Sequence, residues 1–132
     1  MIKKSIYSLP ELTGNKIKKF QIIGCPGCYP TSVLIPLIPL IKKNLVRKDN
    51  IIIDSKSGYS GAGRGVHKKY KNKNLYESIS AYGIGFHRHI SEIEQMIKIY
   101  TNNKFKFSFT PHLLPMFRGI LTTIYVDLVK GK

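Results

Sequence analysis

Two cysteines and one close pair of histidines, Cys25, Cys28, His87 and His89, are side chains of types that do covalent or proton-transfer chemistry near neutral pH. The chain holds only two cysteines, and both lie in Gly24-Cys25-Pro26-Gly27-Cys28-Tyr29-Pro30-Thr31. The run before them, Phe20-Gln21-Ile22-Ile23, is short, apolar and partly β-branched, and Gly24, Pro26 and Gly27 break it. Ser32-Val33-Leu34-Ile35 and further apolar residues follow, up to the basic pair Lys42-Lys43. The pattern predicts a buried strand, a turn, and a helix from near Tyr29 to near Lys43, with Pro30 in the first turn where no N–H is needed. A thiol at such a junction meets free amides and the positive end of a helix, which favour the nucleophilic thiolate. Pro36 and Pro39 predict a kink or break in that helix. Burial is the competing reading of such a thiol, because free cysteine is among the most buried residue types.

The residues alone leave three chemistries open. Cys28 with a histidine of the His87/His89 pair suits nucleophilic catalysis, the imidazole steadying a thiolate and moving protons at the reacting carbon. Cys25-Pro26-Gly27-Cys28 has the spacing of a dithiol redox centre. Two thiols and two imidazoles also suit tetrahedral zinc, although one residue between the histidines is fewer than the usual three to five. Acyl transfer ranks first, redox second and zinc third.

Other segments must bring these groups together. Ile51-Ile52-Ile53-Asp54-Ser55-Lys56 reads as a buried strand after the Lys48-Asp49-Asn50 turn. A glycine-rich loop follows, Ser57-Gly58-Tyr59-Ser60-Gly61-Ala62-Gly63-Arg64-Gly65, in which Ser57, Ser60 and Arg64 are donors suited to phosphate. The alternative is a loose solvent loop, and the loop by itself does not decide. Residues 66–78 are polar, basic and expected to be exposed. Ser91 with Glu94 predicts a capping box, with Ile93, Met96, Ile97 and Tyr100 at helical spacing, so that His89 lies just ahead of a helix. Lys104 to Phe109 alternates as a strand with one buried face, Ile120 to Val129 reads as a long strand, and residues 111–119 connect them. The pattern suggests an α+β sandwich with helices on one sheet.

At 132 residues the chain has the size of one domain. Its formal charge of +15 would ordinarily raise nucleic acid as a partner. Lysine far outnumbers arginine, however, isoleucine and asparagine are abundant, and alanine occurs only at Ala62 and Ala81. A chain-wide substitution bias of this kind inflates charge without building a binding face. Only Lys68-Lys69-Tyr70-Lys71-Asn72-Lys73 offers a polyanion site, and no nucleic-acid partner is expected. No signal peptide or bilayer-spanning run is visible, and the expected location is cytoplasmic.

Four separated stretches then pass a threshold together. Pro26 to Thr31, Lys56 to Arg64, His87-Arg88-His89 with Glu92-Ile93, and Thr110-Pro111-His112-Leu113-Leu114-Pro115-Met116-Phe117-Arg118-Gly119-Ile120-Leu121 resemble, in order and spacing, the motifs of the N-acetyl-γ-glutamyl-phosphate reductase family. Tyr7 to Leu12 is similar to that family's tyrosine-x-leucine-proline-glutamate segment. The resemblance implies a mixed sheet with helices on one face, as in the C-terminal domain of glyceraldehyde-3-phosphate dehydrogenase. It also implies a part in arginine biosynthesis: NADP-dependent reduction of N-acetylglutamyl phosphate to the semialdehyde through a cysteine thioester, with release of phosphate. In that scheme Cys28 is the nucleophile and His89, in preference to His87, the acid/base partner. Ser57, Arg64, His87 and Arg118 are candidates for holding substrate, and a homo-oligomer is expected.

Two positions depart from the family pattern. Cys25 stands where asparagine is usual, and Ser91 where proline is common. A dinucleotide fingerprint after a first strand is absent, so residues 1–132 are expected to be the catalytic and dimerisation domain without a Rossmann domain. The other class of reading is a non-enzymatic remnant or oligomerisation module.

Overall fold

Alternation along Ile51–Ser57 (β3) sets the layers. Ile51, Ile53, Ser55 and Ser57 are buried, whereas Ile52, Asp54 and Lys56 face outward. In the computed structural model, which describes residues 4–64 and 77–130, β3 lies at the centre of a four-stranded sheet. Its partners are Ser80–Ala81 (β4), Phe107–Leu113 (β5) and Ile120–Tyr125 (β6), in the order β4-β5-β3-β6. β3 runs parallel to β5 and antiparallel to β6, so the sheet is mixed. Two helices, Cys28–Lys42 (α2) and His89–Thr101 (α3), pack against each other and cover the buried side of β3. Val33, Leu34, Leu37 and Ile38 of α2 meet Ile93, Met96 and Ile97 of α3 and Ile51, Ile53 and Phe109 of the sheet in one core. Each such side chain contributes roughly 1.5–3 kcal/mol on burial. The fold is α+β with helices on one face, as the sequence pattern indicated.

Two polar residues inside this core are bonded as burial demands. The Ser55 hydroxyl lies 2.9 Å from that of Thr122, which lies 2.8 Å from that of Ser32, joining β3, β6 and α2. Ser57 bonds the Tyr29 hydroxyl.

Several expectations are corrected. α2 is not broken at Pro36 and Pro39, which both lie inside the helix Cys28–Lys42. Both prolines are exposed, so water can reach the carbonyls they leave without a donor. The second strand, Ile22–Gly24 (β2), is not buried: Ile22 is 59% and Ile23 46% exposed. Among the described residues it pairs only with Ser5–Tyr7 (β1), in parallel, and a short helix, Pro10–Thr13 (α1), and a 3-10 turn separate the two. β5 starts at Phe107 and continues through Pro111 to Leu113 instead of ending at Phe109. The Pro111 carbonyl accepts the Tyr82 N–H at 3.0 Å. Because N and O of a strand residue point to the same side, the missing donor faces the end of β4, and the ladder to β3 loses nothing. β6 stops at Tyr125, and Leu128 instead bridges to Val46. The Lys68–Lys73 run lies outside the described residues.

Candidate active site

Cys28 is the first residue of α2, whose N-cap is Gly27 in extended backbone (φ −63°, ψ 169°). Thr31 closes the first turn on the Gly27 carbonyl, by its amide at 3.0 Å and its hydroxyl at 2.9 Å. The amides of Cys28 and Tyr29 have no acceptor among the described residues, as expected of the first helical positions. Both cysteines are free and exposed. No disulfide joins Cys25 to Cys28.

His89 is likewise the first residue of its helix, α3. The predicted capping box does not form. Ser91 lies inside the first turn with its hydroxyl donating to the Arg88 carbonyl at 3.0 Å. The amide of His89 instead donates to Nδ1 of His87 at 3.2 Å, and that of Ile90 to the His87 carbonyl at 2.9 Å. His87 therefore does the work assigned to Ser91. An Nδ1 that accepts carries no proton, which puts the proton of neutral His87 on Nε2.

The two helix starts meet at Gly27. A Cβ built there would lie 2.7 Å from Nε2 of His89, so only glycine lets the imidazole lie against the residue before Cys28. Nδ1 of His89 is buried without a hydrogen-bond partner. Burial, then the neighbouring His87 and Arg88, hold the His89 pKa down at about 4, and His87 is lowered by burial and Arg88. Both rings are neutral at pH 7. Tyr29, behind them, is edge-on to His87, His89 and Phe109. Its hydroxyl lies 2.8 Å from that of Tyr82. Burial raises the Tyr29 pKa, so it stays a phenol.

One cleft of about 750 Å³ is lined by Cys28, His87, Arg88 and His89 together with Ser57, Ser60 and Gly61. The glycine-rich segment is no loose loop. Gly58, Tyr59 and Ser60 donate to the carbonyls of Gly119, Met116 and Phe117 at 2.9–3.0 Å. A Cβ at Gly58 would strike the 116–118 backbone at 2.7–2.8 Å. Gly61 and Gly63 donate within the segment, so five of its amides are already engaged and cannot cradle a phosphate.

Of the sequence-predicted site residues, Cys28, Ser57, His87 and His89 share the cleft; Arg64 and Arg118 are not among those lining it. Arg118 instead places its guanidinium 5.0 Å from the centre of the Phe117 ring. Arg88 and Tyr82, given no role from sequence, do line it. Among the described residues no cluster of three metal-ligating side chains occurs, so Cys25, Cys28, His87 and His89 do not form the zinc site. Among the described residues no helix is long and apolar enough to cross a membrane.

Known proteins are similar to this chain in sequence and in fold. A probable N-acetyl-gamma-glutamyl-phosphate reductase, chloroplastic, of Arabidopsis thaliana is 48% identical over 129 residues, covering 98% of this chain and 32% of that protein. The N-acetyl-gamma-glutamyl-phosphate reductase of Caldicellulosiruptor bescii is 51% identical over 130 residues, 98% of this chain and 38% of that protein. The chain thus spans about a third of the length of these relatives. In fold it is similar to aspartate semialdehyde dehydrogenase II from Vibrio cholerae, with a TM-score of 0.69 at 16% identity over 96% of this chain and 45% of the other. Residues 28–132, beginning at the cysteine that opens α2, match the family described as semialdehyde dehydrogenase, dimerisation domain, and the chain belongs to that family.

Proposed function

We propose that the chain is the catalytic and subunit-joining part of an N-acetyl-γ-glutamyl-phosphate reductase and forms a homo-oligomer. The observation that carries the reading is the convergence of two helix starts, Cys28 on one and His89 on the other, on one cleft. Cys28 Sγ attacks the acyl carbon of N-acetylglutamyl phosphate. His89, neutral above about pH 4, takes the thiol proton and so enters as a base. The carbonyl becomes an oxyanion beside the free Cys28 and Tyr29 amides. Its collapse breaks the bond between the acyl carbon and the phosphate oxygen, phosphate leaves with that electron pair, and a Cys28 thioester remains. Arg88 is the guanidinium available beside the leaving phosphate, in place of Arg64 and Arg118. Ser57 shapes the cleft through Tyr29.

NADPH would supply the hydride that reduces such a thioester. The described residues do not fit it: the segment from Gly58 to Gly63 is a 3-10 turn bonded to the 116–119 backbone, not the strand–turn–helix that receives a dinucleotide. The part proposed for this chain is therefore acyl transfer.

The reading is tested by phosphate release from N-acetylglutamyl phosphate, measured on the purified chain and on Cys28→Ser. A single turnover that the serine variant lacks is expected, and its conversion to steady aldehyde formation when a relative's dinucleotide-binding half and NADPH are added. Equal release by both proteins defeats the reading.

A further inference from the structure

Glu92 takes no part in the acyl-transfer step, yet it is bonded to both arms of the site. Its Oε1 accepts the Gly27 N–H at 2.9 Å and also the Tyr7 hydroxyl. Gly27 is the N-cap of α2, Tyr7 ends β1, and Glu92 lies three residues past His89 in the first turn of α3. One carboxylate oxygen thus joins three segments far apart in sequence. With its N–H turned to Glu92, Gly27 has its open side against His89. An acidic residue in a first helical turn ordinarily serves its own helix; this one bonds the start of a neighbouring helix, whose first residue is the nucleophile.

We infer that Glu92 is a positioning residue, whose bond to the Gly27 amide holds the start of α2, and so Cys28, in register with His89. The functional part of this inference rests on the acyl-transfer reading; the bond itself does not. It depends on an acceptor oxygen more than on charge, so glutamine can replace glutamate and alanine cannot.

Three measurements on the full chain test it: acylation of Cys28 by acetyl phosphate in a single turnover, alkylation of Cys28 by iodoacetamide, and hydrogen exchange of the Gly27 amide. Acylation needs thiol and imidazole in register, whereas alkylation needs the thiol alone. Glu92→Ala is expected to slow acylation by roughly tenfold to a hundredfold, the scale of a displacement near 1 Å. Alkylation should change far less, and the Gly27 amide should exchange about tenfold faster or more, the scale of one lost hydrogen bond to a charged group. Glu92→Gln should restore acylation and protection. The inference is overturned if Glu92→Ala acylates like the parent, if alkylation falls in parallel with acylation, or if the glutamine variant fails as the alanine variant does. Should the parent chain itself not be acylated, the acyl-transfer reading fails. The exchange arm then decides the clamp separately, with unchanged Gly27 exchange in Glu92→Ala refuting it.

Discussion

The starts of α2 and α3 face the same cleft but are finished in different ways. α2 begins in extended backbone and leaves the amides of Cys28 and Tyr29 without an acceptor among the described residues. α3 begins from a helical Arg88, and the imidazole of His87 meets its first amide. Open donors at a helix start welcome negative charge, whether on sulfur or on the oxygen of a tetrahedral intermediate. The closed start carries the opposite kind of group, an imidazole that burial, His87 and Arg88 keep neutral. The difference teaches that two similar pieces of local structure acquire opposite electrostatic character through their first-turn partners and their depth.

The largest way to break this pairing is to remove His89, the proposed base. His89→Asn should lower Cys28 acylation by roughly 10²–10⁴, the usual contribution of a positioned acid/base group, with alkylation by iodoacetamide little changed; loss of both would instead mean a damaged cleft. Gly27→Ala tests the contact between the two starts. The new methyl would displace the ring whose Nε2 lies 2.7 Å from the Cβ position, and acylation should fall about a hundredfold, checked in the same single-turnover assay beside a thermal melt.

A smaller effect separates the two starts by pH. His89 has its folded pKa pushed down to about 4 from 6.5, so between those values the unfolded chain binds a proton that the native chain does not. Stability should therefore rise from pH 4 to about 6.5 and level off above it. Urea unfolding across that range should show the rise, flattened in His89→Asn to what His87 contributes; a parent chain with no slope would contradict the buried neutral ring. The smallest effect concerns Ser91. Because its hydroxyl donates to the Arg88 carbonyl instead of accepting a first-turn amide, Ser91→Ala should change stability by less than the ~1 kcal/mol of a true N-cap, read from the same urea curves.

Much of this was legible in the sequence, and what was not has local causes. An apolar run after a breaker turn locates α2, helical spacing locates α3 and a β-branched run after a turn locates β3, because those elements bury a stripe or a face within the chain itself. Ile22 and Ile23 look equally buried on paper, yet among the described residues β2 pairs only with β1, and pattern cannot say whether a burying partner is present. Pro111 reads as a strand breaker because sequence does not tell which side of a strand its nitrogen faces. Ser91 and Glu94 make a valid capping signal that lost to a histidine side chain two residues ahead of the helix. The cysteine turn and the His-Arg-His motif were visible as chemistry, but nothing in their spacing says that they meet. Gly27 was the available clue, since a glycine beside a reactive residue often marks a close approach. Position and charge point to Arg64 and Arg118, whereas Arg88 and Glu92 sit within the His87-Arg88-His89 and Glu92-Ile93 stretch with no signal of their own. The bond that gives Glu92 its place links residues 65 apart, beyond the reach of any local rule.

The central claim is that Cys28, and not Cys25, is an acyl-accepting nucleophile because it opens α2 beside His89. It is tested most directly by mixing the chain with N-acetylglutamyl phosphate, quenching in acid and mapping the adduct by peptide mass spectrometry. An acyl group confined to the Cys28 thiol and removed by hydroxylamine is the result expected. Equal labelling of Cys25 and Cys28, or no thioester at either, would contradict it.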